Sequence, residues 1–212
     1  AMFNLVERCT LWTASGTAPS SRHMLANSGS LSNQYYNRFI DCIFWNDTDA
    51  GAELYGGNKG NTLHGNLFGS TDGPAFSDNG GMGDSTVMRH NTLVSSQRRA
   101  LTLSDASTTG VRFAQNILYG RGPLTTPCGG TGSVMAQMEQ AAFGDSNLYY
   151  NSAQPADSGS AIARSSGTCN APISYKGTYR WKSPLFQDST IAFGTFNGAL
   201  RTGSWGLAAT YS

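Results

Sequence analysis

The segments TVMRHNTLVSS (86–96) and GVRFAQNILYG (110–120) carry one phrase twice: an apolar residue, two others, an asparagine, one more residue and a second apolar residue. Their asparagines, Asn91 and Asn116, stand 25 residues apart. With the asparagine as position zero, the phrase recurs at Cys9 (LVERCTLW), Cys42 (FIDCIFW), Asn66 (LHGNLFG) and Asn147 (GDSNLYY), at intervals of 33, 24, 25, 25 and 31 residues. Three residues before zero stand Val6, Phe39, Leu63, Met88, Phe113 and Gly144. Two residues after it stand Leu11, Phe44, Phe68, Leu93, Leu118 and Tyr149. Only Gly144 breaks the apolar character of the two columns, so the chain is a repeat and its period decides the fold.

A period near 25 is short for most two-helix repeats, and the local texture is that of strands. Apolar residues alternate over short runs and are broken by turn-forming clusters such as SDNGGMGDS and SDASTTG. SVMAQMEQAAF (133–143) is the one stretch with helical character. A unit of two or three short strands joined by tight turns is one coil of a parallel β-helix. Successive coils then stack at ~4.8 Å, so like positions form columns. The asparagine is expected at a bend between two strands, where its amide bonds backbone groups and the amide of the next coil. Cys9 and Cys42 occupy the same column as small, readily buried substitutes.

Composition narrows the function classes. At 212 residues one domain suffices. A formal charge of +1 with 13% charged residues gives no basic footprint for nucleic acid. The hydrophobic content of 39% excludes a charged disordered chain. No apolar run approaches the ~20 residues of a membrane span, so membrane insertion is not expected. No basic-then-apolar segment opens the chain, which suggests that a leader was removed or that the chain was cut close to its structure.

VMRHNTLVSS (87–96), VRFAQNILYG (111–120), SNLYYN (146–151) and SPLFQD (183–188) resemble the right-handed parallel β-helix, or pectin-lyase-like, superfamily over roughly residues 5 to 190. The resemblance implies an all-β fold of about six coils with an aromatic-rich C-terminal cap. It implies little about activity, because the superfamily includes lyases, hydrolases, esterases, epimerases, phage tailspikes and adhesins. The coils are expected over 1–165, and 166–212, with Trp181, Phe186, Phe193, Phe196 and Trp205, over the last coil and its open strand edge. No comparable cap precedes Cys9, which points to truncation, a covering partner or a very small cap. The third strand of each coil is placed at 23–27, 52–56, 74–78, 100–104, 133–137 and 161–165. The longest turns then fall at 12–22, 119–132 and 150–160, where a groove wall would rise.

Four cysteines in a low-charge, Gly/Ser-rich chain point to an oxidising compartment, hence to a secreted or cell-surface protein. Cys9 and Cys42 should lie ~5 Å apart, where a disulfide or a stacked free pair would each fit. Cys128 and Cys169, in long turns of neighbouring coils, are candidates for a second bridge. No spacing of His or Cys suggests a metal, and no cofactor is indicated.

Three constellations carry possible chemistry. Arg98 and Arg99 enter the strand at Ala100, and on an adjacent coil the same strand carries Glu53 and Tyr55. A lyase acting on a uronate-containing glycan needs cations to neutralise the carboxylate and a base to take the acidified proton. Arg98 or Arg99 and Tyr55 would serve; the alternative is a solvated turn whose arginines pair with Asp105 or Asp78. Secondly, His64 and Arg89 should be outward neighbours, with His90 close by, and a surface pair without a role is the better reading. The third constellation is the column Trp12, Trp45, Gly69, Val94, Tyr119 and Tyr150, three residues after zero. Its aromatic faces could stack on sugar rings, or the long turns could fold over them and make a secondary cluster; covering is favoured.

A glycosidase would need two carboxylates ~5–5.5 Å or ~6.5–9.5 Å apart; Asp47, Asp49, Glu53, Asp72 and Asp78 gather near one edge. Polygalacturonase and pectate-lyase patterns are absent, so the resemblance implies neither activity. The expected function is therefore recognition of a polysaccharide, with or without processing. The alternatives are a lyase on an acidic glycan, and a structural or adhesion piece of a larger or homotrimeric spike.

Overall fold

The computed structural model describes residues 3–13, 24–27, 36–55, 59–79, 85–96, 100–103, 112–120, 143–145, 147–151, 162–164, 179–181, 186–188 and 197–200. The chain visits three sheets in rotation. It runs β1 (Leu5–Glu7), β2 (Thr10–Thr13), β3 (Met24–Asn27), then β4 (Arg38–Ile40), β5 (Ile43–Asn46), β6 (Ala52–Tyr55). The rotation repeats as β7 (Thr62–His64), β8 (Leu67–Ser70), β9 (Phe76–Asn79) and as β10 (Val87–Arg89), β11 (Thr92–Ser95), β12 (Leu101–Leu103). Then follow β13 (Arg112–Ala114), β14 (Ile117–Gly120), β15 (Phe143–Asp145), β16 (Asn147–Asn151), β17 (Ile162–Arg164) and β18 (Tyr179–Trp181). The sheets are six-stranded (β1-β4-β7-β10-β13-β15), seven-stranded (β18-β16-β14-β11-β8-β5-β2) and five-stranded (β17-β12-β9-β6-β3), with every pairing parallel. The protein is thus all-β, with no helix among the described residues, and this connectivity is compatible with a parallel β-helix.

The columns read from the sequence are the registers of these sheets. Val6, Phe39, Leu63, Met88 and Phe113 follow one another across the first sheet. Leu11, Phe44, Phe68, Leu93, Leu118 and Tyr149 do so across the second. Gly144 is a correction. The ladder shifts by one residue between β13 and β15, so that Phe143 pairs with Phe113. A bulge thus puts an aromatic residue where the alignment expected a gap. The core lies between the sheets, with Leu63, Met88 and Phe113 from the first, Phe44, Phe68 and Leu93 from the second, and Leu54, Phe76 and Leu101 from the third. Phe44 stacks on Phe68 at 5.4 Å, and Phe68 meets Phe76 edge-on at 5.1 Å.

The asparagine bend is a ladder of side-chain amides. The Asn66 backbone N–H and its Nδ2 both donate to Asn91 Oδ1, at 3.0 Å each. Asn91 donates in the same way to Asn116 Oδ1, and Asn116 to Asn147 Oδ1. The second Nδ2 hydrogen of Asn91 reaches back to the Leu63 carbonyl at 2.8 Å. Each buried amide is therefore satisfied inside the ladder, as burial of a polar group demands. The residue before position zero has positive φ wherever it is described: Arg8 and Asp41 before the cysteines, and Gly65, His90 and Gln115 before the asparagines, at 51° to 68°. Only one of the five is glycine. A left-handed conformation costs the others roughly 1–2 kcal/mol each, which the amide ladder and bonds such as Asp41 N–H to the His64 carbonyl offset.

A second ladder runs five residues earlier. Asn4 donates to Asn37 Oδ1, and Asn37 to Asn61 Oδ1, through backbone N–H and side-chain Nδ2 alike. Phe3, Tyr36, Gly60 and Ser85, each preceding a member of this column, share the positive φ. The ladder stops at Thr86, where Asn61 Nδ2 and Thr86 Oγ1 are both buried without a hydrogen-bond partner. Thr86→Asn supplies the missing acceptor and is expected to stabilise the fold by about 1 kcal/mol. Thermal unfolding followed by circular dichroism reads this as a rise in Tm; an unchanged or lower Tm refutes it.

Cys9 and Cys42 share their column as expected, but both are free thiols and no bridge joins them. Cys9 Sγ donates to the Glu7 carbonyl, while buried Cys42 Sγ lies against the Val6 and Ile40 carbonyls. These contacts engage each thiol with backbone carbonyls, of its own coil for Cys9 and of its own and the preceding coil for Cys42. Cys128 and Cys169 lie outside the described residues, as do most of the three long turns and the strand expected at 133–137. The tail from 166 contributes β18, which extends the second sheet in parallel beside β16, and an antiparallel pair, β19 (Phe186–Asp188) with β20 (Asn197–Leu200).

Candidate functional site

The column three residues after zero is in register from Trp12 through Trp45, Gly69, Val94 and Tyr119 to Tyr150. Burial divides it. Trp45, Val94 and Tyr119 are buried at 1%, 0% and 7% exposure, whereas Trp12 is 50% exposed. Trp45 and Tyr119 are thus closed to solvent, the turns expected to cover them lie largely outside the described residues, and one aromatic face remains open. Only the backbone of Tyr150 is described.

Asp47 organises this site. It follows β5 directly, in the turn towards β6, and its backbone N–H is fixed by the Thr13 carbonyl at 3.0 Å. Asp47 Oδ2 accepts from Trp12 Nε1 at 3.2 Å. Asp47 Oδ1 accepts from Trp45 Nε1 at 3.0 Å and from Thr71 Oγ1 at 2.8 Å. One carboxylate therefore holds two indoles from adjacent strands and ties them to the next turn. Hydrogen bonds to an ionised acceptor are the stronger kind, so the Trp12 ring is fixed in place while half of it faces solvent.

The turn beneath is built to hold this arrangement. Asn46 Oδ1 accepts from Thr48 N–H, Thr48 Oγ1 and Asp49 N–H. In the next coil Ser70 Oγ donates to the Asp49 carbonyl at 2.6 Å and accepts from Gly73 N–H. Ser95 Oγ then donates to the Gly73 carbonyl at 2.7 Å. Asp49, half-buried, and Asp72, exposed, stand in the same stacked turns as Asp47. The result is a rigid indole face beside carboxylates. It has the apolar plane that sugar C–H groups pack against and acceptors suited to hydroxyl groups.

The other candidates fare differently. Arg98 and Arg99 lie outside the described residues, and of Tyr55 only the backbone is described. Glu53 is buried at 1% exposure, opposite Ser77 in the sheet. The expectation that Glu53 and Tyr55 sit one coil from the arginines is wrong. Strand β9 lies between β6 and β12, so the two segments are two rungs apart, ~10 Å at the usual strand spacing. His64 and Arg89 are in register, as expected. The described contacts tie Arg89 Nη2 to Gln115 Oε1 at 2.7 Å and set the His64 and His90 rings 5.0 Å apart.

Asp47 is the residue that sequence reading undervalued. It was counted among the acids, yet its role follows from its place five residues after zero, level with Thr71 and Ser96 and just beyond two in-register tryptophans. No family model, curated protein or solved structure matches this chain.

Proposed function

We propose that this chain is a right-handed parallel β-helix of the pectin-lyase-like kind, with about six coils and a C-terminal cap, and that it recognises a glycan. Trp12 carries the functional half of the reading: a tryptophan half exposed on a strand, its Nε1 held by Asp47, which also holds the buried Trp45. A ring fixed before binding loses little rotamer freedom on contact, which favours a rigid aromatic platform for a sugar. Asp47, Asp49 and Asp72 beside it favour a neutral, hydroxyl-rich glycan over a uronate at this position, since like charges would repel.

Turnover at Arg98, Arg99 and Tyr55 is the second reading, and the distance of two rungs between β6 and β12 weighs against it. A third is the structural or adhesion piece of a larger or trimeric assembly, for which a stack of parallel rungs is a suitable scaffold. Placement outside the cell or at its surface rests on low charge and Gly/Ser-rich composition. The free thiols of Cys9 and Cys42 lend it no support.

Affinity electrophoresis through gels containing neutral polysaccharides (xylan, galactan, β-glucan) tests the proposal. The native chain is expected to be retarded by at least one. Trp12→Ala should weaken that binding by tenfold or more, about 1.4 kcal/mol, with Tm changed by only a few degrees. Binding to none, or equal binding by Trp12→Ala, defeats the glycan reading. Rising absorbance near 235 nm with an acidic polysaccharide would replace it with the lyase.

A further inference from the structure

The near-zero net charge of the chain hides a segregation. Beyond the first coil, the described side chains carry four formal cations, Arg38, Lys59, Arg89 and Arg112. All stand on the first sheet or in the turn that enters it: Arg38 on β4, Lys59 just before β7, Arg89 on β10 and Arg112 on β13. The acids lie elsewhere, with Asp47, Asp49 and Asp72 in the turns after the second sheet and Glu53 on the third. Only Asp41, at the bend that closes β4, borders the cations.

Alternation puts these arginines on the outer face of the sheet. Phe39, Leu63, Met88 and Phe113 point into the core, so the residues on either side of each point away from it. Register orders that face in two columns: Arg38, Thr62, Val87 and Arg112, and beside it Ile40, His64, Arg89 and Ala114. Arg38 and Arg112 are three rungs apart, ~14 Å, and Arg89 stands one rung from Arg112 in the other column. The three arginines and Lys59 are exposed, and among the described residues none of them has an ion-pair partner. Arg89 Nη2 donates to Gln115 Oε1, which holds the guanidinium in place without neutralising it. On the rungs between Arg38 and Arg112, the His64 and His90 rings meet edge to face at 5.0 Å.

We infer that the outer face of the first sheet binds a linear polysaccharide carrying sulfate esters. Like charges held along a rigid sheet, with no carboxylate paired to them, call for a polyanion. Thr62, His64, His90 and Gln115 lie among the arginines and offer hydrogen-bond partners to hydroxyl groups. No exposed large apolar residue stands on β4, β7, β10 or β13 to enter a lipid surface. The two imidazoles, half-buried and packed on each other, make a poor platform for stacking bases. The arginines select the anion. A guanidinium is weakly hydrated compared with an ammonium, so it pairs best with a weakly hydrated anion, which a sulfate ester is to a greater degree than a carboxylate. This face shares no residue with the Trp12 site, so either proposal can fail alone.

Isothermal titration calorimetry of the full chain with dextran sulfate, and with carboxymethyl-dextran of matched charge density, tests this. Binding to dextran sulfate is expected to saturate, to weaken as NaCl is raised, and to be tighter than binding to the carboxylated polymer. Arg89→Gln/Arg112→Gln, at two exposed positions, should weaken it about tenfold or more while the circular-dichroism spectrum stays unchanged. Arg89→Lys/Arg112→Lys keeps the charge and loses the planar fork. It should bind dextran sulfate several-fold more weakly than the native chain and lose the preference for sulfate. Full binding by the glutamine variant, unchanged binding by the lysine variant, or equal affinity of the native chain for the carboxylated polymer overturns the inference. So does tighter binding to phosphatidylserine vesicles or to single-stranded DNA; the face then serves a membrane or a nucleic acid.

Discussion

Asn91→Ala is expected to cost roughly 3–4 kcal/mol of folding stability, a large share of the ~5–15 kcal/mol a domain of this kind possesses. Asn91 Oδ1 is the acceptor for both the N–H and the Nδ2 of Asn66, and Asn91 Nδ2 serves the Leu63 carbonyl and Asn116 Oδ1. Truncation leaves those groups buried without partners, and no water reaches them in a bend at 1% exposure. Each orphaned buried group costs ~1–3 kcal/mol, partly recovered by relaxation. Urea unfolding of the variant should show a lower midpoint with an unchanged m-value. The double variant Asn91→Ala/Asn116→Ala should cost less than the sum of the singles, because the two residues share a bond. A loss below about 1 kcal/mol would mean that packing, and not the amide ladder, holds the bend.

Asn91→Asp sharpens this test through its pH dependence. The substituted carboxylate keeps the acceptor for Asn66 but turns an oxygen toward the Leu63 carbonyl and Asn116 Oδ1, both acceptors. Burial beside two acceptors disfavours the charged form, so the folded state raises the carboxyl's pKa above its unfolded value. By linkage the variant is most stable below the unfolded pKa and loses stability as pH rises through the folded one. Its deficit relative to the native chain should therefore be larger at pH 7 than at pH 4. A deficit independent of pH would show that this oxygen reaches solvent.

The zero column was legible because asparagine at a repeated bend leaves a mark in residue type as well as in spacing. The second amide column stood in the same alignment at Asn4, Asn37 and Asn61. It was missed because Thr86 breaks it next to the most regular phrases. The left-handed bends were barely legible. Asp41 and His90 are residue types enriched at positive φ, but Arg8 and Gln115 are not, so the column shows no shared signal and tertiary hydrogen bonds impose the conformation. The Gly144 mismatch shows the limit of a fixed period: a bulge moves one residue without altering the repeat. At the site, residue types were informative and adjacency was not. Counting strands places β9 between β6, which carries Glu53, and β12, and only the stacked turns reveal that Asp47 joins Trp12 to Trp45.

Gly69→Ala should destabilise the chain, although in an ordinary strand alanine in place of glycine is favourable or neutral. Gly69 is the in-register neighbour of Trp45, and the indole lies across it, with Cε3 and Cζ3 inside contact distance of any Cβ added there. The glycine is thus the space in which the ring is packed. A methyl group must push the indole outward, away from Asp47 Oδ1, against the closed packing around a side chain at 1% exposure. Overpacking of this kind costs about 1–3 kcal/mol, and because Asp47 also holds Trp12, displacement of Trp45 should loosen the exposed ring as well. Two readouts follow: a lower urea midpoint and a red shift in tryptophan emission. The deciding measurement is the cycle with Trp45→Ala. Removing the ring is itself costly, yet in that background Gly69→Ala should be neutral or stabilising, because the added methyl group enters vacated space. If Gly69→Ala costs the same with and without the Trp45 indole, strain comes from the backbone. The glycine then does not set the position of the ring, and the fixed geometry of Trp12 must have another source.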